Sequence, residues 1–239
     1  MKIRNTILTV VAVLVVALAA AAFWAYRSLD SLVLAAIEKY GPEITQVSVK
    51  VSGVRLAPVS GEGQISGLVL GNPKGFTTDS ALKVGAISLR IDPASFTKDV
   101  VIIREVVIQS PQITYESGSA GNNLETIQKN IESYVARLTG GKKDDSGPKK
   151  KFVIENLYIR DARASINTPL TLGKTLSSGI PDLHLRDIGK RSNGATAGEV
   201  VGQVWQALLR STGNVVSKIG SAISEGAKSA VDSVKKLFK

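Results

Sequence analysis

The sequence predicts an α+β protein made of an N-terminal transmembrane helix, a mostly antiparallel β-sheet and a long amphipathic helix at the C-terminus. Three observations carry this expectation. Residues 6–26, "TILTVVAVLVVALAAAAFWAY", hold no charge. Apolar runs of period two recur between residues 47 and 188, divided by Gly, Pro, Ser and Asp. From Val201 onward, apolar or small residues return at spacings of three and four, close to the helical period of 3.6.

The uncharged stretch makes about 30 Å of helix at 1.5 Å per residue, which matches the hydrocarbon core of a bilayer. Lys2 and Arg4 precede it, and Phe23, Trp24 and Tyr26 form an aromatic belt at its far end. Residues 1–26 are therefore expected to be a signal anchor, with the N-terminus in the cytoplasm and the bulk of the chain across the membrane. Ala17-Leu18-Ala19 leaves a cleavable signal peptide open, although the apolar region of such a peptide is usually about 7 to 15 residues long. Residues 27–45 read as a helical connector, because Leu29, Leu32, Val33, Ile37 and Tyr40 keep a helical spacing until Gly41-Pro42.

The sheet domain spans 46–190. Period two begins in "VSVKVSGVRL" and continues in strands near 64–70, 81–91 and 100–116, the spacing of an antiparallel meander. The stretch "ISGLVLGNPKGFTTDS" is a strand with an abrupt end, because Pro73 lacks a backbone donor and turns Asn72 away from helix. Gly71, Asn72 and Pro73 stop the strand, while Gly75 and Phe76 begin the crossing to the next, with Phe76 expected against an apolar face. A helix over 123–138 follows, carrying Leu124, Ile127, Ile131, Val135 and Leu138 on one face, with Asn122 or Asn123 as its cap. "TGGKKDDSGPKKK", residues 139–151, contains no apolar residue and reads as a solvated loop.

After the loop the strands resume, and "VIIREVVIQSPQITYE" from 101 aligns with "FVIENLYIRDARASIN" from 152. A shorter pattern, apolar-x-x-apolar-x-apolar, recurs from residues 51, 65, 84, 103, 154 and 180. Two residues between the first apolar pair suit a bulge that returns both to one face. That face would carry Val51, Val54, Leu56, Ile65, Leu68, Leu70, Val84, Ile87, Leu89, Ile103, Val106, Ile108, Ile154, Leu157 and Ile159. Arg55, Val69, Val107, Tyr158 and His184 would line the other.

In the helical tail, 198–239, the stripe runs through Val201, Val204, Leu208, Thr212, Val215, Ile219, Ile223, Gly226, Ala230, Val234 and Leu237. It forms one long helix, or two broken near Gly213-Asn214. Its small apolar side could pack on the sheet, lie on a membrane or cover an apolar groove.

Chemistry-bearing motifs are scarce. With no cysteine there is no disulfide, zinc finger or thiol nucleophile. His184 is the only histidine, and no Gly-x-Ser-x-Gly accompanies it, so it is read as a strand residue. Gly173-Lys174-Thr175 would need a glycine at 168 to form a phosphate loop, and Thr168 stands there. Asp144-Asp145 lacks calcium spacing, so no metal and no cofactor are expected. The net charge of +10 implies attraction to polyanions. Its lysines lie in a loop and a tail without interleaved aromatics, which favours an anionic membrane over nucleic acid. Binding is expected rather than catalysis.

The sequence resembles the AsmA-like family of bacterial envelope proteins. The likeness is carried by "VSVKVSGVRL", "SGEGQISGLVLGNPKGF", "VGAISLRIDPASF", "VVIIREVVIQSPQITYESGSAGNNLETI" and, more loosely, "IPDLHLRDIG", over roughly residues 27–188. The resemblance implies a bacterial inner-membrane protein with a periplasmic body and a curved sheet similar to the groove of bridge-like lipid transfer proteins. Its concave apolar side would take a phospholipid or another acyl-chain lipid, for envelope maintenance. Typical members are longer. Six or seven strands at 4.7 to 4.9 Å give a sheet roughly 30 Å wide, below a bilayer's thickness of about 40 to 45 Å, so self-association or a longer envelope partner would extend the groove. The rival is a structural or interaction domain of β-sandwich type, tethered by the same anchor and burying both sheets' inner faces.

Overall fold

The computed structural model describes residues 29–118, 121–140, 150–168 and 175–237. The expected anchor over 1–26 lies outside the described residues, as does 141–149 of the expected loop. Among the described residues no helix is long and apolar enough to cross a membrane.

Helix α1 occupies residues 29–45. It runs through Gly41-Pro42 instead of ending there. A Cβ on Gly41 would stand 2.9 Å from the Val49 side chain, so glycine permits the close approach. The helix stops four residues later at Gln46, which adopts a left-handed φ of 55°.

Eleven strand segments follow: β1 (Val49–Lys50), β2 (Gly53–Ala57), β3 (Glu62–Leu70), β4 (Leu82–Ile91), β5 (Val100–Gln109), β6 (Gln112–Gly118), β7 (Gly121–Asn122), β8 (Lys151–Arg160), β9 (Arg163–Asn167), β10 (Leu176–Gly179) and β11 (Leu183–Ile188). They form one curved, mixed sheet. Most segments are halves of longer bent strands. The expected strand at 100–116, for example, is broken at Ser110-Pro111 into β5 and β6, yet both halves pair with β4 in one register, Ile108 opposite Ile87 and Ile113 opposite Leu82. Segments β8 and β9 are likewise one strand bent at Asp161-Ala162, and β10 with β11 pairs antiparallel along its whole length. The order across the sheet is β1/β2, β3, β4, β5/β6, β8/β9, β10/β11, six bent strands.

The meander expected from the sequence holds from β1 to β5. The central pairing departs from it, because β5/β6 lies parallel to β8/β9. Parallel neighbours need a crossover, and helix α2 (Asn123–Gly140) supplies it. Val101 faces Phe152 and Glu116 faces Asn167, a constant separation of 51 residues. This is the spacing of the two sequence segments that resemble each other. Their corners match as well: Ser110 has φ 50° and Asp161 has φ 52°, and Ser110 N donates to the Arg160 carbonyl at 2.8 Å.

Helix α3 (Ala197–Leu237) is continuous past Gly213-Asn214 and about 60 Å long. Trp205, Leu208, Thr212 and Val215 on it are buried. Trp205 donates its indole N–H to the Leu124 carbonyl on α2 at 3.0 Å, joining the two helices over the sheet. No second sheet faces the first among the described residues, so the sandwich alternative is not the architecture that forms.

Candidate functional site

Cross-strand register sorts the sheet's side chains into rows. One row reads Val54, Ile65, Ile87, Ile108, Ile159, Leu183 from β2 to β11. The next reads Leu56, Gly63, Leu89, Val106, Leu157, Leu185, and a third reads Ile91, Ile103, Ile154, Ile188. Thirteen of the fifteen residues expected on the apolar face therefore stand in or beside these three rows, counting Val84 opposite Leu68 one step further along β3 and β4. Local irregularities hold the alternation where the sequence places two residues between apolar positions. A bulge does so in β5, where Arg104 is the extra residue against β4, whereas Gly67 turns β3 at φ 62° with no change of register to β4.

Cover over this face is unequal. On the β5/β8 side Ile159, Leu157, Ile154, Val106 and Ile108 are buried beneath the helices, as are Leu70 and Val84 nearer α2. On the β2–β4 side Val54, Leu56, Ile65, Ile87 and Leu89 are only half-buried, as are Ile103 and Leu68. Val51 is buried at the sheet's edge, where Glu38 accepts its N–H at 3.4 Å. Asp30 accepts the N–H of Leu56 at 2.7 Å in the same way. These two carboxylates place α1 along the outer edge of β1/β2, satisfying donors that a further strand would otherwise take.

The opposite face is polar. Arg55, Gln64, Ser88, Val107, Tyr158 and His184 form one row, with Val69 on the same side of β3, and Glu62, Arg90, Glu105, Asn156 and Arg186 form the next. A concavity of about 540 Å³ opens here, lined by Arg55, Glu62, Gln64, Ser88, Arg90 and Glu105. His184 stacks on Tyr158 at 4.2 Å between ring centroids, and its Nε2 lies 3.0 Å from Asn156 Oδ1. It is a strand residue with a cross-strand partner, as the sequence suggests.

The turn after β3 contains more than its glycines and proline announce. Its Asn72 donates to the Thr78 carbonyl at 2.6 Å and to Thr78 Oγ1 at 2.7 Å, and accepts from Asn123 Nδ2 at 2.8 Å. Asn123 also donates to the Thr114 carbonyl and accepts the Glu116 N–H. Asn122, not Asn123, caps α2, taking the Glu125 N–H at 2.8 Å. At the centre stands Glu116, only 7% exposed, whose carboxylate accepts from the N–H and hydroxyl of both Thr77 and Thr78 at 2.6 to 2.8 Å. Burial opposes its ionisation, but the bonds from Thr78 and Thr77 outweigh burial and hold the carboxyl below its ordinary range. Gly71 and Pro73 are buried here, Phe76 is half-buried and Gly75, with φ 94°, stands at the exposed tip. Sequence reasoning missed Glu116 because it occupies an inward position in an otherwise ordinary alternating strand. The only available signal was the match of its lone carboxylate to the Thr77-Thr78 pair. It also missed Trp205, which lies three residues before Leu208 on the buried face of the same helix.

These two features differ in what they can do. The Glu116 cluster has every acceptor engaged and serves to pin the turn to α2. The apolar face is half covered, so part of it is available to an apolar ligand. No family model matches this sequence, and no curated protein matches it.

Proposed function

We propose that the chain is a membrane-tethered, non-catalytic binding protein whose sheet takes the acyl chain of a phospholipid or a related lipid on the uncovered part of its apolar face. The observation that carries this reading is the unequal cover of one continuous set of apolar rows. Four strands at about 4.8 Å and two to three residue pairs at about 6.8 Å along them make a patch of roughly 260 to 390 Å². Its complete burial is worth at most about 10 kcal/mol of transfer free energy at 25 cal/mol/Å². The uncharged stretch at residues 6–26 supports the tether, and the resemblance to AsmA-like envelope proteins supports an inner-membrane location with a periplasmic body. Self-association or a longer partner would lengthen the groove.

A second reading has its own support. The same rows are an ordinary core under α2 and α3, and a patch of this size is within what monomers expose, which suits a tethered interaction domain.

Photo-crosslinking separates the two. The full chain is reconstituted in phospholipid vesicles containing a lipid with a diazirine at the acyl-chain end, irradiated and mapped by peptide mass spectrometry. Label on peptides carrying Ile65 and Ile87, lost in Ile65→Asp while the circular dichroism spectrum is unchanged, supports acyl-chain binding. Label confined to the first 28 residues would leave only the interaction-domain reading.

A further inference from the structure

Helix α1 is fixed along one edge of the sheet and begins at a defined end of it. Asp30 lies at Leu56 and Glu38 at Val51, so α1 runs antiparallel to β1/β2 along the sheet edge. Eight helical residues advance about 12 Å and five extended residues about 16 Å, so the two elements run in opposite directions over comparable lengths. Helix α1 therefore begins at the end of the sheet where β2 stops and β3 begins. From residue 6 to residue 40 the chain contains neither Gly nor Pro.

That end is a rim made by the β2–β3 turn, the β4–β5 connection, the start of β8 and the turn at 189–195. Val59 at the first of these turns is 86% exposed, and Leu32, one turn into α1, is 61% exposed. The remaining parts of the rim are bound to one another. Lys150 Nζ donates to the carbonyls of Phe96 and Lys98, Lys151 N donates to Asp99 O at 2.9 Å, and Phe152 pairs with Ala195. Among its acids, Asp92 is paired with Arg104 and Asp187 with Lys190. This leaves Lys98, Lys150, Lys151 and Arg191, all exposed and without an ion pair among the described residues, against Asp30, Glu62, Asp99 and Glu155. These four cations gather where the β4–β5 connection, the start of β8 and the turn at 189–195 meet, and together with the exposed aliphatic side chains at the same end they complement an anionic bilayer surface.

We infer that this rim rests on the headgroup layer of an anionic membrane, with Val59 and Leu32 at the interface and the four cations against lipid phosphates, so that the strands stand along the membrane normal. The inference rests on the tethered reading given above.

The absence of cysteine makes the test direct. Val59→Cys and Thr97→Cys on the rim, and Lys74→Cys in the turn at the opposite end, each carry an environment-sensitive fluorophore in the full chain. The chain is reconstituted in vesicles of phosphatidylglycerol and phosphatidylcholine at about 3:7, with spin-labelled lipid as quencher. Labels at 59 and 97 are expected to be quenched and the label at 74 is not. In phosphatidylcholine alone, or with Lys98→Glu, Lys151→Glu and Arg191→Glu combined, quenching at 59 falls by about half or more as the attraction to anionic lipid is lost. Equal quenching at 59, 97 and 74 in protein that still floats with the vesicles overturns the orientation and leaves the tether standing. Protein that does not float with them overturns both.

Discussion

Replacing Glu116 by glutamine tests the polar cluster behind the β3–β4 turn. Wild-type Glu116 accepts four hydrogen bonds, two from each threonine. The glutamine carbonyl retains one pair, but its amide group turns a donor toward an N–H that is itself a donor. Two charge-assisted bonds are lost, each worth about 1.5 to 3 kcal/mol, so Glu116→Gln is expected to destabilise by about 3 to 6 kcal/mol. For a chain of this size that lowers the melting temperature by roughly 10 °C. The effect depends on pH in a defined direction. The folded carboxyl is held below its ordinary range, so its contribution is fully present above the unfolded pKa of about 4.3 and fades as pH falls through the folded value. Urea unfolding of both proteins at pH 7 and at pH 3 measures this. The gap between them is expected to be wide at pH 7 and to narrow in acid. A gap below about 1 kcal/mol at pH 7, or one that widens toward pH 3, refutes the assignment of Glu116 as an ionised latch.

Two further substitutions probe the rest of the fold. Gly61→Ala places a Cβ 2.0 Å from the Ile91 carbonyl oxygen at a φ of 76°, and is expected to cost about 3 kcal/mol or more, read as a shift in the urea midpoint at unchanged slope. Trp205→Phe keeps most of the packing but removes the donor that reaches the Leu124 carbonyl, so it should cost about 0.5 to 1.5 kcal/mol, and hydrogen exchange should quicken in α3 and α2 together. Faster exchange in α3 alone would mean that the indole does not couple the two helices.

The alternation of apolar and polar positions made both faces of the sheet legible, because a period of two maps directly onto opposite sides of a strand. The rows from Val54 to Leu183 and from Arg55 to His184 fall as the sequence suggests. The likeness between 101–116 and 152–167 was also visible, but its meaning was not. Similar sequences can pair either way, and only the crossover through α2 makes these two run parallel. Helix ends were the least legible, since propensity places a stop at Pro42 while Val49 packs tightly enough against Gly41 to carry α1 to residue 45. The extent of cover over the apolar face was invisible, because Ile65 and Ile159 are the same residue type at equivalent strand positions. What separates them is α3, which reaches one side of the sheet and not the other.

The parallel pairing at a constant separation of 51 constrains how this protein can change length. A residue deleted from β5 before Ser110 would slide every later position of that strand against β8/β9, and would send Val106 and Ile108 to the polar side. A matching deletion in β8 would restore the pairing between the two strands while leaving β4 mismatched. The segment that leaves β6, passes through α2 and returns at Lys151 carries no such restriction, because it closes a crossover rather than keeping a register. Variation in length should therefore collect between residues 140 and 151, and the six bent strands should behave as a fixed ruler.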